Sequence, residues 1–267
     1  MQLKNYLKKE GIAMSIDDNA IMQNMIDNHK SCVIVQNDSG YTVKLRPVTV
    51  SESLNDKISS EDISVGMSIV NRQVMLSNIK TNLYRQCNNT NCNAKNKCIF
   101  RAIPNGNTNA DVLFLNKMPT DYEIGNMSSH CDRNGVFLSL ILNKMNVSRD
   151  SIYCTDMIKC NTQLDEQSYN ECIQTYISKE IEYVSPKVII CNGLSVLKAC
   201  AKSGILSNLP SDITYGKIYD ANTISNKPVK VTAMYDLDIV LQKTGSDYEK
   251  CKTELWTQIL SAFKASI

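Results

Sequence analysis

The chain has 267 residues, of which 43% are hydrophobic and 21% charged, a balance that fits a globular protein and excludes an intrinsically disordered one. Its apolar runs are all shorter than the ~18 residues of a membrane span, and its N-terminus lacks an apolar signal core, so we expect a cytoplasmic protein without membrane attachment. The formal net charge is only +2, so any contact with nucleic acid has to come from local basic patches.

The first part of the chain predicts a small accessory subdomain. Two strand patterns, Cys32–Gln36 and Tyr41–Leu45, flank a polar turn at Asn37–Gly40, which is typical of a β-hairpin. A polar stretch follows, and apolar spacing then predicts a helix over Ile69–Leu83. We therefore predict a small N-terminal α+β extension over residues 1–83, with no chemical motif of its own.

In the remainder of the chain, residues 84–267, predicted strands and helices alternate. This alternation is typical of a mostly parallel sheet with helices on both faces, that is, a three-layer α/β sandwich. The active site of such a sheet lies at the carboxyl ends of its strands, here Asn116–Glu123, Asp156–Cys160, Asn192–Gly193 and Tyr235–Asp236. The predicted strands are Val112–Leu115, Ile152–Thr155, Val188–Cys191 and Val229–Met234, and the predicted helices are Val136–Met145, Tyr169–Val184, one from Ser195, and Asp247–Ala265.

Eleven cysteines are the unusual feature of the composition. Their number is odd and no secretory signal precedes them, which argues against a disulfide scaffold and favours reduced thiols or metal-binding thiolates. Two groups have ligand-like spacing, Cys87-x4-Cys92-x5-Cys98 and Cys160-x11-Cys172, and such thiolates suit zinc or an iron–sulfur cluster. We interpret a further set as small buried hydrophobic residues: Cys32, Cys154, Cys191, Cys200 and Cys251.

Three stretches occur in an order that is typical of one family. Asn116–Glu123 stands where that family has Gly-Glu-Ala-Pro-Gly followed by acidic residues, and Arg149–Cys160, with its Lys-Cys pair, and Ser185–Gly193 follow. From Cys87 to Phe263, about two-thirds of the chain, the sequence resembles the uracil-DNA glycosylase superfamily, most closely its iron–sulfur (family 4) branch. The resemblance implies a uracil-DNA glycosylase-like fold and a DNA glycosylase, a hydrolase that we expect to bind DNA as a monomer.

The resemblance also implies a [4Fe–4S] cluster with a structural role. The later cysteine pair of the family matches Cys160 and Cys172, and its second early ligand matches Cys92. Cys87 is then the first ligand, although its spacing of four residues departs from the two of the family, and Cys98 competes for the same place. Zinc is the alternative metal.

The positions that read uracil in the family are changed in this chain. Lys117 replaces the Glu after the first Gly, and His130 aligns with the base-stacking Phe. Asp156 replaces the uracil-reading Asn, and Asp236 falls in the His-Pro motif. We expect Lys117, His130, Asp156 and the adjacent Met118 at the base. An ionised Asp only accepts hydrogen bonds, so it disfavours O4 of uracil and suits the N4 amine of cytosine.

Removal of a base needs an acid at the base and a water at the sugar. Asp156 or Asp236, with a raised pKa, would protonate the leaving base. Glu123 or Asp121 would orient the water that attacks C1′ of the oxocarbenium-like sugar. The alternative for Glu123 and Asp121 is a solvated loop acid, and that for Asp156 is a turn Asp. Attack by the Lys117 amine would add lyase activity, and we favour a monofunctional enzyme.

Free removal of cytosine would damage the genome of the host. We therefore expect a modified cytosine, for example the glucosylated hydroxymethylcytosine of phage DNA, and a role in anti-phage defence, with Asn116, Met118 and Thr120 leaving room around C5. The alternatives are a uracil-DNA glycosylase of base excision repair, a catalytically silent DNA-binding module on the same fold, and a zinc-bound structural protein.

The target base has to be flipped out of the duplex, so the protein has to hold the DNA backbone. The loop Leu237–Lys243 occupies the position of the minor-groove-inserting segment of the family. Ordinary surface charge is the alternative for each candidate contact. The candidates are Arg133, Lys159, Ser195, Lys198 and Lys243.

Overall fold

The computed structural model describes the backbone of residues 32–37 and 40–45, and residues 72–83, 92–94 and 101–267. The chain divides into two compact units, Met1–Val65 and Gly66–Ile267. In the first unit, strand β1 (Cys32–Asn37) pairs with strand β2 (Gly40–Leu45) in antiparallel register, with Asn37 opposite Gly40. The predicted hairpin is thus confirmed.

The second unit begins, in the part that the structure describes, with helix α1 over residues 72–83. The strands that follow are β3 (Asn105–Gly106), β4 (Val112–Asn116), β5 (Tyr153–Asp156), β6 (Val188–Asn192), β7 (Leu206–Ser207), β8 (Ile218–Thr223) and β9 (Pro228–Met234). The helices are α2 (Asp121–Asn126), α3 (Arg133–Lys144), a 3₁₀ turn (Arg149–Ser151), α4 (Glu166–Cys172), α5 (Ser178–Val184), α6 (Leu194–Lys202), α7 (Leu237–Gln242) and α8 (Gly245–Ala265). One turn of π-helix, Ile173–Ile177, joins α4 to α5.

Seven strands form one sheet in the order β3-β5-β4-β6-β9-β8-β7. The four central strands, β5, β4, β6 and β9, are parallel, and the antiparallel strands lie at the edges. The apolar runs of the central strands are buried on both sides, which is the pattern expected of parallel strands covered by helices. The predicted mostly parallel sheet is confirmed.

Helices cover both faces of this sheet and form two separate cores. Alternate residues of β4 point to opposite faces, so Leu113 and Leu115 belong to one core and Phe114 to the other. The first core contains apolar side chains of α1, the π-turn, α5 and α6, and the second those of α3, α7 and α8. The three predicted layers are therefore present.

Helix α1 belongs to the second unit. Its Leu76 lies in the first core without exposed surface, and Ile79 and Leu83 pack in a third apolar cluster with Ile158 and Cys172. The sequence predicts the boundary between the N-terminal extension and the second domain after residue 83, whereas the compact units divide between residues 65 and 66. Among the described residues, helices with the length and apolarity of a membrane span do not occur.

Candidate active site

Polar side chains link the carboxyl ends of three neighbouring strands. Asn116, the last residue of β4, is directly opposite Asp156, the last residue of β5. The side-chain amide of Asn192, at the end of β6, donates to Asn116 Oδ1 at 3.1 Å, and its Oδ1 accepts from the backbone N–H of Leu237 at 3.0 Å. These amides fix the strand ends and the start of α7 relative to one another.

Three of the predicted site residues meet beside these strand ends. Glu123 on α2, His130 in the loop before α3, and Asp156 on β5 expose only 1%, 5% and 0% of their surface. One carboxylate oxygen or ring nitrogen of each lies within 4.8 Å of the others. A cluster of two carboxyl groups and an imidazole away from water is able to exchange protons or hold a cation.

Glu123 holds the start of α2 and the loop of His130 together. Its Oε2 accepts hydrogen bonds from the backbone N–H of Thr120 at 2.7 Å and from the Thr120 hydroxyl at 3.0 Å. The backbone N–H of Glu123 in turn donates to the Thr120 hydroxyl oxygen at 3.3 Å, which completes a capping box. Its Oε1 accepts from the backbone N–H of His130. Burial raises the pKa of Glu123, and hydrogen bonds from Thr120 and His130 oppose this. Glu123 is therefore not a solvated loop acid.

His130 is held in an unusual backbone conformation. Its φ is 55°, in the left-handed region, and the start of α3 passes so close that a Cβ on Gly135 would lie 1.8 Å from the His130 carbonyl oxygen. The ring packs edge-on against Phe114, with centroids 4.9 Å apart. Both ring nitrogens are buried without a hydrogen-bond partner among the described residues. Burial lowers the pKa of His130 to about 3, so the imidazole is neutral near pH 7.

Asp156 is the most enclosed of the three. Its Oδ2 accepts a hydrogen bond from the Ser129 hydroxyl at 2.5 Å, whereas its Oδ1 has no hydrogen-bond partner in the part of the chain that the structure describes. Its pKa is raised to about 7, mainly by burial and also by the charge of Glu123, whereas Lys159 and hydrogen bonds from Ser129 and Asn116 oppose this rise. Sequence reasoning missed Ser129, because the contact depends on the fold of a loop 27 residues away.

Lys159 is a structural residue, and its prediction as a DNA contact is wrong. It is 1% exposed, and its ammonium forms an ion pair with Glu180 on α5 at 2.8 Å. The same Nζ donates to the Thr155 hydroxyl at 2.5 Å and to the Asp156 carbonyl oxygen at 2.8 Å. A DNA phosphate does not reach a lysine enclosed in this way.

The other predicted catalytic and base-binding residues lie apart from this cluster. Asp236 is half-buried at the N-terminus of α7, where it accepts from the Asp238 N–H at 2.9 Å, and burial raises its pKa. It follows β9, which lies three strand spacings, about 14 Å, from β5, and the charge of Lys117 opposes the rise in its pKa. Asp121 is exposed and accepts from the Asn161 amide, Lys117 is exposed, and Met118 packs against the third apolar cluster.

The remaining candidate DNA contacts lie at the surface. Arg133, Ser195, Lys198 and Lys243 are all exposed, as a backbone-contacting residue has to be. Arg133 donates to the Leu241 carbonyl oxygen at 2.7 Å and so joins the start of α3 to the end of α7. Their DNA-binding role stays a prediction.

Three of the four predicted cysteine ligands, Cys92, Cys160 and Cys172, are among the described residues. Cys160 and Cys172 are 6% and 5% exposed, and Cys172 packs in the same cluster as Ile158. The Asn93 N–H, next to Cys92, donates at 2.9 Å to Ser168, one turn before Cys172 on the same face of α4. Buried thiols of this kind suit the ligand set of an iron–sulfur cluster, and the cluster stays a prediction. Cys87 and Cys98 lie outside the described residues.

Comparison with known proteins agrees with this architecture. The sequence profile of the uracil DNA glycosylase superfamily matches residues 103–260, more than half of the chain. The chain is also 24% identical over 154 residues to the type-4 uracil-DNA glycosylase of Archaeoglobus fulgidus, which covers 54% of this chain and 77% of that protein. The chain therefore belongs to the uracil DNA glycosylase superfamily, and the predictions of this superfamily, its family 4 branch, its fold and a DNA glycosylase are confirmed.

Proposed function

We propose that this DNA glycosylase removes a cytosine-type base. The observation that carries the proposal is Asp156, a carboxyl group at the end of β5 where the resemblance places a uracil-reading amide. An amide both donates to O4 and accepts from N3–H of uracil, whereas a carboxyl group offers oxygens to the N4 amine of cytosine. A buried acceptor that faces O4 without a donor between them costs about 1–3 kcal/mol.

The base reaches Asp156 only after the loop in front of it moves. Ser129 and His130 cover the carboxyl group, and Met127 and His130 both have left-handed backbone conformations. Such residues store of order 1–3 kcal/mol of strain each, which lowers the cost of displacing the loop. A flipped base would then replace His130 as the neighbour of Asp156, while Ser129 keeps its hydrogen bond to Oδ2.

The sugar needs a water molecule aimed at C1′ and a negative group near the developing cation. Glu123 is the better of the two predicted candidates, because it is buried beside Asp156, whereas Asp121 is exposed. Glu123 would orient the water through the lone pair that remains on Oε1, which among the described residues accepts only from the His130 N–H. Asp236, at the start of α7, is the second candidate for the acid at the base.

A modified cytosine is the substrate that fits an enzyme active in a living cell. Unmodified cytosine occurs throughout the genome, whereas glucosylated hydroxymethylcytosine marks the DNA of some phages, and its removal would defend the host. In this proposal the substituent at C5 lies near Asn116, Met118 and Thr120. DNA is the partner, with Arg133, Ser195 and Lys243 as backbone contacts, and a monomer in the cytoplasm stays our prediction.

A [4Fe–4S] cluster would be held by Cys160, Cys172, Cys92 and either Cys87 or Cys98. These cysteines come from three distant segments of the chain, so a bound cluster would connect the segments and would stabilise the fold around β5 and α4. Cys172→Ser should lose iron and the visible iron–sulfur absorption, whereas Cys200→Ser, also at a buried cysteine, should keep both. Detection of zinc instead of iron in the wild-type protein would contradict the proposed [4Fe–4S] cluster.

Base release from oligonucleotides tests the proposed function. The substrates carry uracil, cytosine, hydroxymethylcytosine or glucosylated hydroxymethylcytosine at one position, in single and double strands. Release of the modified cytosines supports the proposal, and release of uracil alone overturns it. The name of the type-4 relative favours uracil as the second candidate. Binding without any release, unchanged in Asp156→Ala and Glu123→Ala, would instead indicate a silent DNA-binding module.

A further inference from the structure

The buried cluster has an imbalance of charge. Asp156 and Glu123 both lie in it, and His130 is neutral near pH 7. The ammonium beside Asp156 belongs to Lys159, but it is paired with Glu180 and bonds the Asp156 carbonyl oxygen, not the carboxyl group. Two buried carboxylates without a cation of their own are strongly unfavourable, so the cluster has to retain a proton or bind a cation.

The hydrogen bonds distinguish the four carboxyl oxygens of the cluster. Both oxygens of Glu123 accept from N–H or O–H groups of Thr120 and His130. Oδ2 of Asp156 accepts from the Ser129 hydroxyl. Oδ1 of Asp156 is the remaining carboxyl oxygen. It makes no hydrogen bond of normal length and angle with the residues that the structure describes, although the nearby Asn116 amide favours the charged form of Asp156.

We propose that Asp156 is a neutral acid with its proton on Oδ1, and that it reads an amino-pyrimidine through two hydrogen bonds at once. Oδ1–H donates to N3 of the base, and Oδ2, which Ser129 leaves one lone pair, accepts from the N4 amine. Uracil presents the opposite pattern, because its N3–H faces Oδ1–H and its O4 faces Oδ2. This inference rests on the proposed function and makes Ser129 its positioning residue.

The same proton completes the reaction. It moves from Oδ1 to N3 while the C1′–N1 bond breaks and its electron pair goes to N1, so the base leaves as its neutral N3–H form. Water adds its hydroxyl to C1′, and its proton returns to Asp156. The titratable groups that face Asp156 are Glu123 on α2, His130 and Cys131 in the loop, Cys154 on β5 and Lys159.

Infrared difference spectroscopy on the full-length protein tests the proton directly. Wild type minus Asp156→Asn should show the carbonyl stretch of a protonated carboxyl group below neutral pH, shifted in D₂O and lost at alkaline pH. Asp111→Asn, at an exposed aspartate of a surface ion pair, should keep the band. Absence of the band overturns the inference. If modified cytosine is still released, the proposed function is kept and only the protonated Asp156 is rejected.

Metal analysis and the pH profile separate the remaining possibilities. A divalent cation bound one to one, in addition to cluster iron, and lost in Asp156→Asn would overturn the inference, since the cation would then balance the charge. With a neutral acid, the rate of base release should fall as pH rises through about 7. Ser129→Ala should lower kcat at least tenfold and shift this profile, whereas a merely structural Ser129 would leave the profile in place.

Discussion

The backbone N–H of His130 donates to the carboxylate of Glu123, and this bond ties the loop over Asp156 to the first turn of α2. The loop is therefore positioned by a residue whose side chain is itself fixed by a capping box. Asp156, the candidate at the base, and Glu123, the candidate at the sugar, both bond to this loop. A substitution of either residue should therefore also displace the other.

Glu123→Gln should destabilise the protein by about 1–3 kcal/mol, because an amide NH₂ group would face an N–H or O–H donor at one of the two oxygens. Urea unfolding measures this loss. Glu166→Gln, at a carboxylate with 75% of its side chain exposed, is the control and should change stability by less than about 0.5 kcal/mol. Equal effects of the two substitutions would show that Glu123 does not hold the loop.

Gly135→Ala should displace the His130 loop, because the new Cβ would lie 1.8 Å from the His130 carbonyl oxygen. We expect lower thermal stability and weaker base release. Gly125→Ala places a Cβ in open space within α2, and it should stabilise the protein by roughly 0.5–1 kcal/mol. A Gly135→Ala protein as stable and active as wild type would contradict the close approach of α3 to this loop.

Lys159→Met should cost about 3–5 kcal/mol, because it leaves the charge of Glu180 buried without its partner. The double variant Lys159→Met/Glu180→Gln should recover part of this loss in equilibrium unfolding. Lys187→Met breaks the exposed pair with Asp111 and should cost no more than about 1 kcal/mol. A loss of affinity for DNA in Lys159→Met without a loss of stability would restore its predicted role as a DNA contact.

The pH dependence of stability should change in Asp156→Asn. The folded protein holds the Asp156 proton up to about pH 7, whereas the unfolded chain releases it near 3.8. The stability of wild type relative to the variant should therefore fall as pH rises from 3.8 to about 7 and then level off. His130, with its pKa lowered to about 3, destabilises both folded proteins as pH falls below 6.5 and cancels in the difference. If the difference in stability between wild type and Asp156→Asn does not vary with pH, the pKa of Asp156 is not raised in the folded protein.

Regular apolar patterns were enough to predict the sheet and its covering helices. The strands around Leu113 and Ile189 are buried on both faces, and a run of buried β-forming residues is a strong local signal. The helix predicted over Tyr169–Val184 contains a π-turn after Cys172, which apolar spacing does not reveal.

The side-chain contacts of the site could not be predicted in the same way. The basic character of Lys159 indicated a phosphate contact, but its partner Glu180 lies on another element, and only the fold brings the two together. Ser129 likewise meets Asp156 through a loop whose path depends on Glu123 and on the close approach at Gly135. Such contacts join distant parts of the sequence and leave no local pattern.

The most direct test of the central claim is a competition assay, in which wild type and Asp156→Asn act on oligonucleotides that carry uracil or glucosylated hydroxymethylcytosine. Our account predicts that wild type releases the modified cytosine in preference to uracil, and that Asp156→Asn reverses this preference, since an amide restores the hydrogen-bond pattern of uracil. A wild-type enzyme that prefers uracil, or a preference unchanged in Asp156→Asn, would contradict it.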